Sequence, residues 1–148
     1  MKKFYVVLGL VLVAALVASC APAAETAQVV EVAADAPLKM SGLVEMGWSL
    51  EDLKALPVTE AEYTNKDGET KTYSGVSFSD ILKAAAVEDY ATLTLIAADD
   101  YSVGVDRKTL DACTTCIIAI DDDGSLRSVM PGMQGSLQVK DLVALEVK

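Results

Sequence analysis

The sequence predicts an α+β domain in which strands dominate, a mixed sheet carrying only a few short helices. Three observations predict it. Short apolar runs, alternating or continuous, recur between turn residues such as Asn65, Asp67, Gly68 and Asp121 to Gly124. Two serines, Ser49 and Ser77, stand where they would cap short amphipathic helices. The chain that remains after a 19-residue leader, 148 − 19 = 129 residues, suits one core and is too short for two.

Taken in order, residues 38–44 read as the first strand. Ser49-Leu50-Glu51-Asp52 then places an acid three residues after a serine N-cap, and Leu53 and Leu56 follow before Pro57 stops the turn. Residues 58–64 and 69–73 flank Asn65-Lys66-Asp67-Gly68, whose Asp-Gly favours left-handed backbone, so the segment reads as a hairpin. Ser77-Phe78-Ser79-Asp80 repeats the capping pattern, and Phe78, Ile81, Leu82 and Ala85 share one helical face suited to packing on a sheet. Residues 92–98 alternate Leu93, Leu95 and Ala97 against their neighbours, and residues 116–120 are a continuous apolar run; both read as core strands. Residues 126–130 and 143–147 supply two more.

The amino terminus bears on compartment. Lys2 and Lys3 precede an uncharged, largely apolar run at 4–18, shorter than the roughly 20 residues that span a bilayer, so a transmembrane helix is disfavoured. Val17-Ala18-Ser19-Cys20 follows, and this order resembles a bacterial lipobox, in which cleavage precedes the cysteine and its thiol carries a diacylglyceryl group. The expected organisation is a lipoprotein signal peptide at 1–19, a lipidated flexible tether at 20–36 and a folded domain at 37–148. The tether from Ala21 onward is alanine-rich, with one proline, three acids and no aromatic residue, too little apolar area to order itself. An ordinary secretory peptide with an incidental cysteine is the alternative. Either reading places the mature domain outside the cytoplasm, and the first anchors it in the bacterial cell envelope with the lipid bilayer as its partner through acylated Cys20.

All 22 acidic residues but only 10 of the 12 basic ones lie beyond Ser19, giving the mature chain 10 − 22 = −12 charges. Such a surface repels phosphate backbones and excludes nucleic acid as a partner. The chain has no histidine, which removes that residue as general base or metal ligand.

Pro131-Gly132-Met133-Gln134-Gly135, followed by Val139-Lys140-Asp141-Leu142, resembles the C-terminal pterin-side segment of the molybdopterin-binding domain of sulfite oxidase-type oxidoreductases. Tyr73, Gly75, Val76, Phe78, Asp80, Ile81 and Leu82 match that family's Tyr-x-Gly-Val-x-Phe-x-Asp-Ile-Leu. Asp100-Tyr101-Ser102 is similar to its Asp-Gly-Tyr-Ser turn with aspartate for the glycine, and Gly124-Ser125-Leu126-Arg127 to its Gly-x-Pro-Leu-Arg turn without the proline. The resemblance covers about residues 37–148. It departs at Leu137, where the family often has a basic residue, and at Gln138, where it has a polar aromatic one.

What the resemblance implies is a molybdopterin site, and a pterin dithiolene with its phosphate needs turn amides, a cation and a side-chain metal ligand. Gly132, Gly135, Ser136, Lys140 and Arg127 are the ligand-binding candidates, with Lys140 expected to matter far more than Lys66 in the hairpin turn. A strand-connecting turn with an exposed Lys140 is the plain alternative. The metal-ligating cysteine of the catalytic members falls at 58–74, where this chain has none, so no metal site and no molybdenum catalysis of its own are expected; catalytic residues stay unassigned.

Cys113-Thr114-Thr115-Cys116 admits packed thiols, a local disulfide or a redox dithiol, while zinc lacks two of its four ligands. Asp121-Asp122-Asp123-Gly124 lacks the alternating spacing and downstream glutamate of a calcium loop and reads as a solvated turn. Trp48, Met46, Met130 and Met133 read as core or loop packing, with an apolar pocket as the alternative. The expected function is a membrane-anchored module that binds a small ligand or an extracytoplasmic protein. The alternative is a working redox protein using a pterin cofactor or the Cys113/Cys116 pair.

Overall fold

The computed structural model describes residues 35–148. The expected signal peptide at 1–19, the lipidated Cys20 and the tether up to residue 34 lie outside the described residues. The chain runs β1 (Leu38–Gly42), β2 (Met46–Trp48), α1 (Leu50–Ala55), β3 (Val58–Thr64), β4 (Thr70–Ser77), α2 (Phe78–Ala84), β5 (Thr92–Ala97), β6 (Ser102–Asp106), α3 (Arg107–Asp111), β7 (Ile117–Ile120), β8 (Leu126–Val129), a 3-10 turn at Gly135–Leu137 and β9 (Leu142–Val147).

Local chemistry starts α1 and α2 where the sequence places them, and caps α3 as well. Ser49 and Asp52 form a reciprocal capping box at α1, the serine hydroxyl accepting from the Asp52 N–H at 3.1 Å and the Asp52 carboxylate from the Ser49 N–H at 2.9 Å. Ser77 caps α2 through the Asp80 N–H, and Asp106 caps α3 through the Thr109 N–H. With at most seven residues each, these helices owe their persistence to the buried faces they contribute, Phe78, Ile81 and Leu82 in α2 foremost.

The strands form two sheets, one ordered β2-β1-β9-β5-β6 and the other β3-β4-β7-β8. All pairings are antiparallel except β1 with β9. One buried cluster draws on both sheets, with Leu38, Met40, Leu93, Leu95 and Leu145 from the first and Val76, Ile118 and Leu126 from the second. Trp48 and Met130 belong to this core, and Met46 and Met133 pack against it. A smaller cluster of Ala61, Ile117, Ala119 and Val129, joined by Tyr63 and Tyr73, occupies the other face of the four-stranded sheet.

Two strands exceed the sequence expectation. β2 has three residues, too few to show a period, and exists through its pairing with β1. β6 follows a tight turn in which Asp100 adopts φ 66°, a left-handed conformation that aspartate tolerates better than most residues. Conversely, the first strand stops at Gly42 rather than at Val44. Gly42 has φ 96°, and a Cβ there would stand 2.1 Å from the Val147 carbonyl oxygen.

Candidate functional site

Strand register determines which side chains meet. Tyr63 pairs with Lys71, Ala61 with Tyr73, Gly75 with Ala119 and Ala119 with Arg127, so Tyr63, Lys71, Tyr73 and Arg127 all stand on the face away from the main core. Beside them lies a hollow of about 520 Å³, bounded by the β3–β4 hairpin, β8 and the loop after β8. Four cationic side chains line it, Lys66, Lys71, Arg127 and Lys140, against a single acid, Glu69.

Two of these charges, on Lys71 and Arg127, are held in place. The Lys71 ammonium lies 4.8 Å from the Tyr73 ring centroid and the Arg127 guanidinium 5.3 Å, distances at which the ring's electron-rich face attracts a cation. Arg127 also donates from Nε and Nη2 to one Asp121 carboxylate oxygen, at 2.6 and 2.5 Å. Asp121 thus offsets part of that charge while fixing the guanidinium plane. In the hairpin, the Asn65 amide oxygen accepts from the Asp67 and Glu69 N–H groups, and its Nδ2 donates to the Glu69 carboxylate at 3.0 Å. Gly68, with φ 83°, completes the turn that presents Lys66.

The opposite wall is the loop between Met130 and Val139. Ser128, almost wholly buried, donates its hydroxyl to the Leu137 carbonyl at 2.5 Å and accepts from the Val139 N–H at 2.7 Å. The Ser128 N–H donates to the Val139 carbonyl, which lays the returning chain along the edge of β8. Tyr101, in the turn before β6, donates its hydroxyl to the Ser136 carbonyl at 3.0 Å.

Of the residues singled out in the sequence, Arg127, Gly135 and Lys140 line this hollow together. Ser136 lines a neighbouring one with Tyr101 and Asp99, which shares Gly135, Gln138 and Lys140 as its boundary. Gly132, with φ 74°, faces a third beside Cys113 and Thr114. A Cβ on Gly132 or Gly135 would meet nothing within 4 Å, so at Gly135 the missing side chain leaves the hollow open.

Lys66, which the sequence reading expects to matter far less than Lys140, lines the same hollow as Lys140. Sequence reasoning also missed Lys71, Tyr63 and Tyr73. The alternation Tyr63, Lys71, Tyr73 carried the signal, but only the pairing with Arg127 through β7 reveals which way that face looks.

Cys113 and Cys116 are joined by a disulfide across the passage from α3 to β7, with Cys116 in the core. In the Asp121 to Gly124 turn the Asp123 carboxylate accepts from the Ser125 hydroxyl and N–H, which hold its carboxyl below the usual range. No group of three or more His, Cys, Asp or Glu side chains among the described residues is arranged to hold a metal ion. The cations and the open space at Gly135 fit the anionic part of a pterin cofactor. The hairpin at 58–74 has no cysteine to fit its metal.

No family model matches this sequence, and no curated protein matches it. Among solved structures, the chain is similar to the crystal structure of the sulfane dehydrogenase SoxCD from Paracoccus pantotrophus, with a TM-score of 0.62 at 20% identity. The likeness covers 74% of this chain and 37% of that one, and at this identity it is a likeness of fold alone. No helix among the described residues is long and apolar enough to cross a membrane.

Proposed function

We propose that this protein is a lipid-anchored, extracytoplasmic binding module with a sulfite oxidase-type molybdopterin-binding fold, and that it takes a small anionic ligand in the hollow between the hairpin and β8. One observation carries the reading. Four of the ten basic residues beyond the leader converge on one hollow of a chain with 22 acids, where chance placement would scatter them. Cations concentrated in one hollow against an overall negative field raise the local concentration of anions there. The fold likeness to SoxCD and the order of motifs from Tyr73 to Leu142 support the fold part of the reading. The absence of cysteine from 58–74 and of histidine throughout argues against molybdenum catalysis by this chain alone.

Calorimetric titration of the full chain with inorganic phosphate tests the site. Lys140→Glu and Lys66→Glu are both expected to weaken binding about tenfold, whereas Lys54→Glu on α1 leaves it within about twofold. Equal effects at all three positions would remove the site. The anchor is tested separately by Cys20→Ala, which should abolish lipid labelling and release the domain from membranes. Unchanged detergent partitioning of that variant would overturn the anchor.

A further inference from the structure

The loop that carries Gly135 and Lys140 is closed at its base by a side chain. After β8 the chain turns at Pro131, with the Met133 N–H donating to the Met130 carbonyl, passes through the Gly135–Leu137 turn and returns. Where two strands would exchange peptide hydrogen bonds, the Gln138 side chain stands in for one of them. Its Oε1 accepts from the Met130 N–H at 2.9 Å and its Nε2 donates to the Met130 carbonyl at 2.6 Å. The Ser128 hydroxyl, bonded to Leu137 and Val139, forms the next rung inward.

Gln138 does more than complete this ladder, because it also lines the anion hollow beside Gly135 and Lys140. We infer that Gln138 is the positioning residue of the anion site, its side-chain amide holding the 131–137 loop shut against β8 so that Gly135 and Lys140 face Arg127. This rests on the reading of the hollow as an anion site. A primary amide is the group the task needs, since it offers one acceptor and one donor in a plane, spaced as in a peptide. Methionine keeps the length but neither hydrogen bond. Ionised glutamate keeps the acceptor but has no proton for the Met130 carbonyl, and protonated glutamate has both.

The full-length chain in detergent is examined as wild type, Gln138→Met and Gln138→Glu, by amide hydrogen exchange across 132–137 and by calorimetric titration with inorganic phosphate. Both variants at pH 7 are expected to exchange at least about tenfold faster in this loop, with the β5 and β9 amides unchanged, and to bind phosphate about tenfold more weakly. On acidification Gln138→Glu regains slow exchange and phosphate affinity relative to wild type at the same pH, whereas Gln138→Met does not. Unchanged loop exchange in both variants would overturn the inference. Faster exchange with unaltered phosphate affinity would also overturn it, leaving Gln138 as a loop fastener without bearing on the site. If the wild type shows no saturable phosphate binding, the anion reading falls and takes the positioning role with it; the exchange data then report only how the loop is tied.

Discussion

The Arg127 guanidinium and the Tyr73 ring lie 5.3 Å apart across a sheet in which neither residue's strand is paired with the other's; β7 stands between them. Lys71 approaches the same ring at 4.8 Å. A single aromatic side chain therefore gathers two like charges that would otherwise drift apart, and it does so before any ligand arrives.

Tyr73→Leu tests that preorganisation. Each cation–ring contact at such a partly exposed place is worth about 0.5–1 kcal/mol. Losing the ring is expected to weaken phosphate binding roughly two- to fivefold with little change in the unfolding midpoint. Phosphate affinity equal to wild type in calorimetry would show that the ring has no part in holding the cations.

Glycines of the two sheets and of the loop should behave in opposite ways. A Cβ on Gly75 would stand 2.1 Å from the Ile118 carbonyl oxygen, a backbone atom that cannot step aside. Gly75→Ala is therefore expected to cost about 1–3 kcal/mol or more in urea unfolding. Gly135 has open space, so Gly135→Val should stay within about 0.5 kcal/mol of wild type while obstructing phosphate. Reversal of that order would contradict the backbone geometry at both places.

Tyr90 has the one buried side-chain polar atom among the described residues with no hydrogen-bond partner, its hydroxyl, and the residue is 8% exposed. Burial, then the nearby Asp111 carboxylate, pushes that hydroxyl above the ordinary phenol range, opposed by Arg107 and assisted by Asp106. The folded protein thus keeps the proton where the unfolded chain releases it. This contribution is complete below about pH 10 and is lost as pH rises further. Tyr90→Phe should be neutral or stabilising by up to about 1 kcal/mol at pH 7, and should flatten the alkaline decline in thermal midpoint. A clear loss of stability would mean that the hydroxyl has a partner.

Reduction of the Cys113–Cys116 bridge has a bounded expected effect. The closed loop spans four residues, for which chain entropy gives about 2 kcal/mol. Replacing both cysteines by serine should lower stability by that order without altering phosphate binding, as read by urea unfolding and calorimetry. Dithiol reductase activity in the wild type, lost in the double variant, would instead make the pair a redox centre.

Legibility from sequence followed the range of the forces involved. Ser49 with Asp52, Ser77 with Asp80 and the Asp67-Gly68 turn were readable because each is complete within a few residues. β2 and β6 were not, since a strand of three to five residues is defined by its partner, Met46 opposite Met40 and Val103 opposite Leu95. Arg127, Gly135 and Lys140 were readable from motif order. Lys66 and Lys71 were not, because their direction depends on the register of four strands taken together.

The parallel pairing of β1 with β9 orders events in time. β9 occupies the middle of its sheet, between β1 and β5, yet it is synthesised after every other described strand. Until it arrives, β1 and the β5–β6 pair have no common partner, and Leu38, Leu93 and Leu95 have no Leu145 between them. The larger sheet therefore closes only when β9 seats between β1 and β5, after every other described strand has been made. Trimming the final six-residue strand should leave not a shortened domain but an open, sticky pair of sheet fragments for proteases and chaperones to contest.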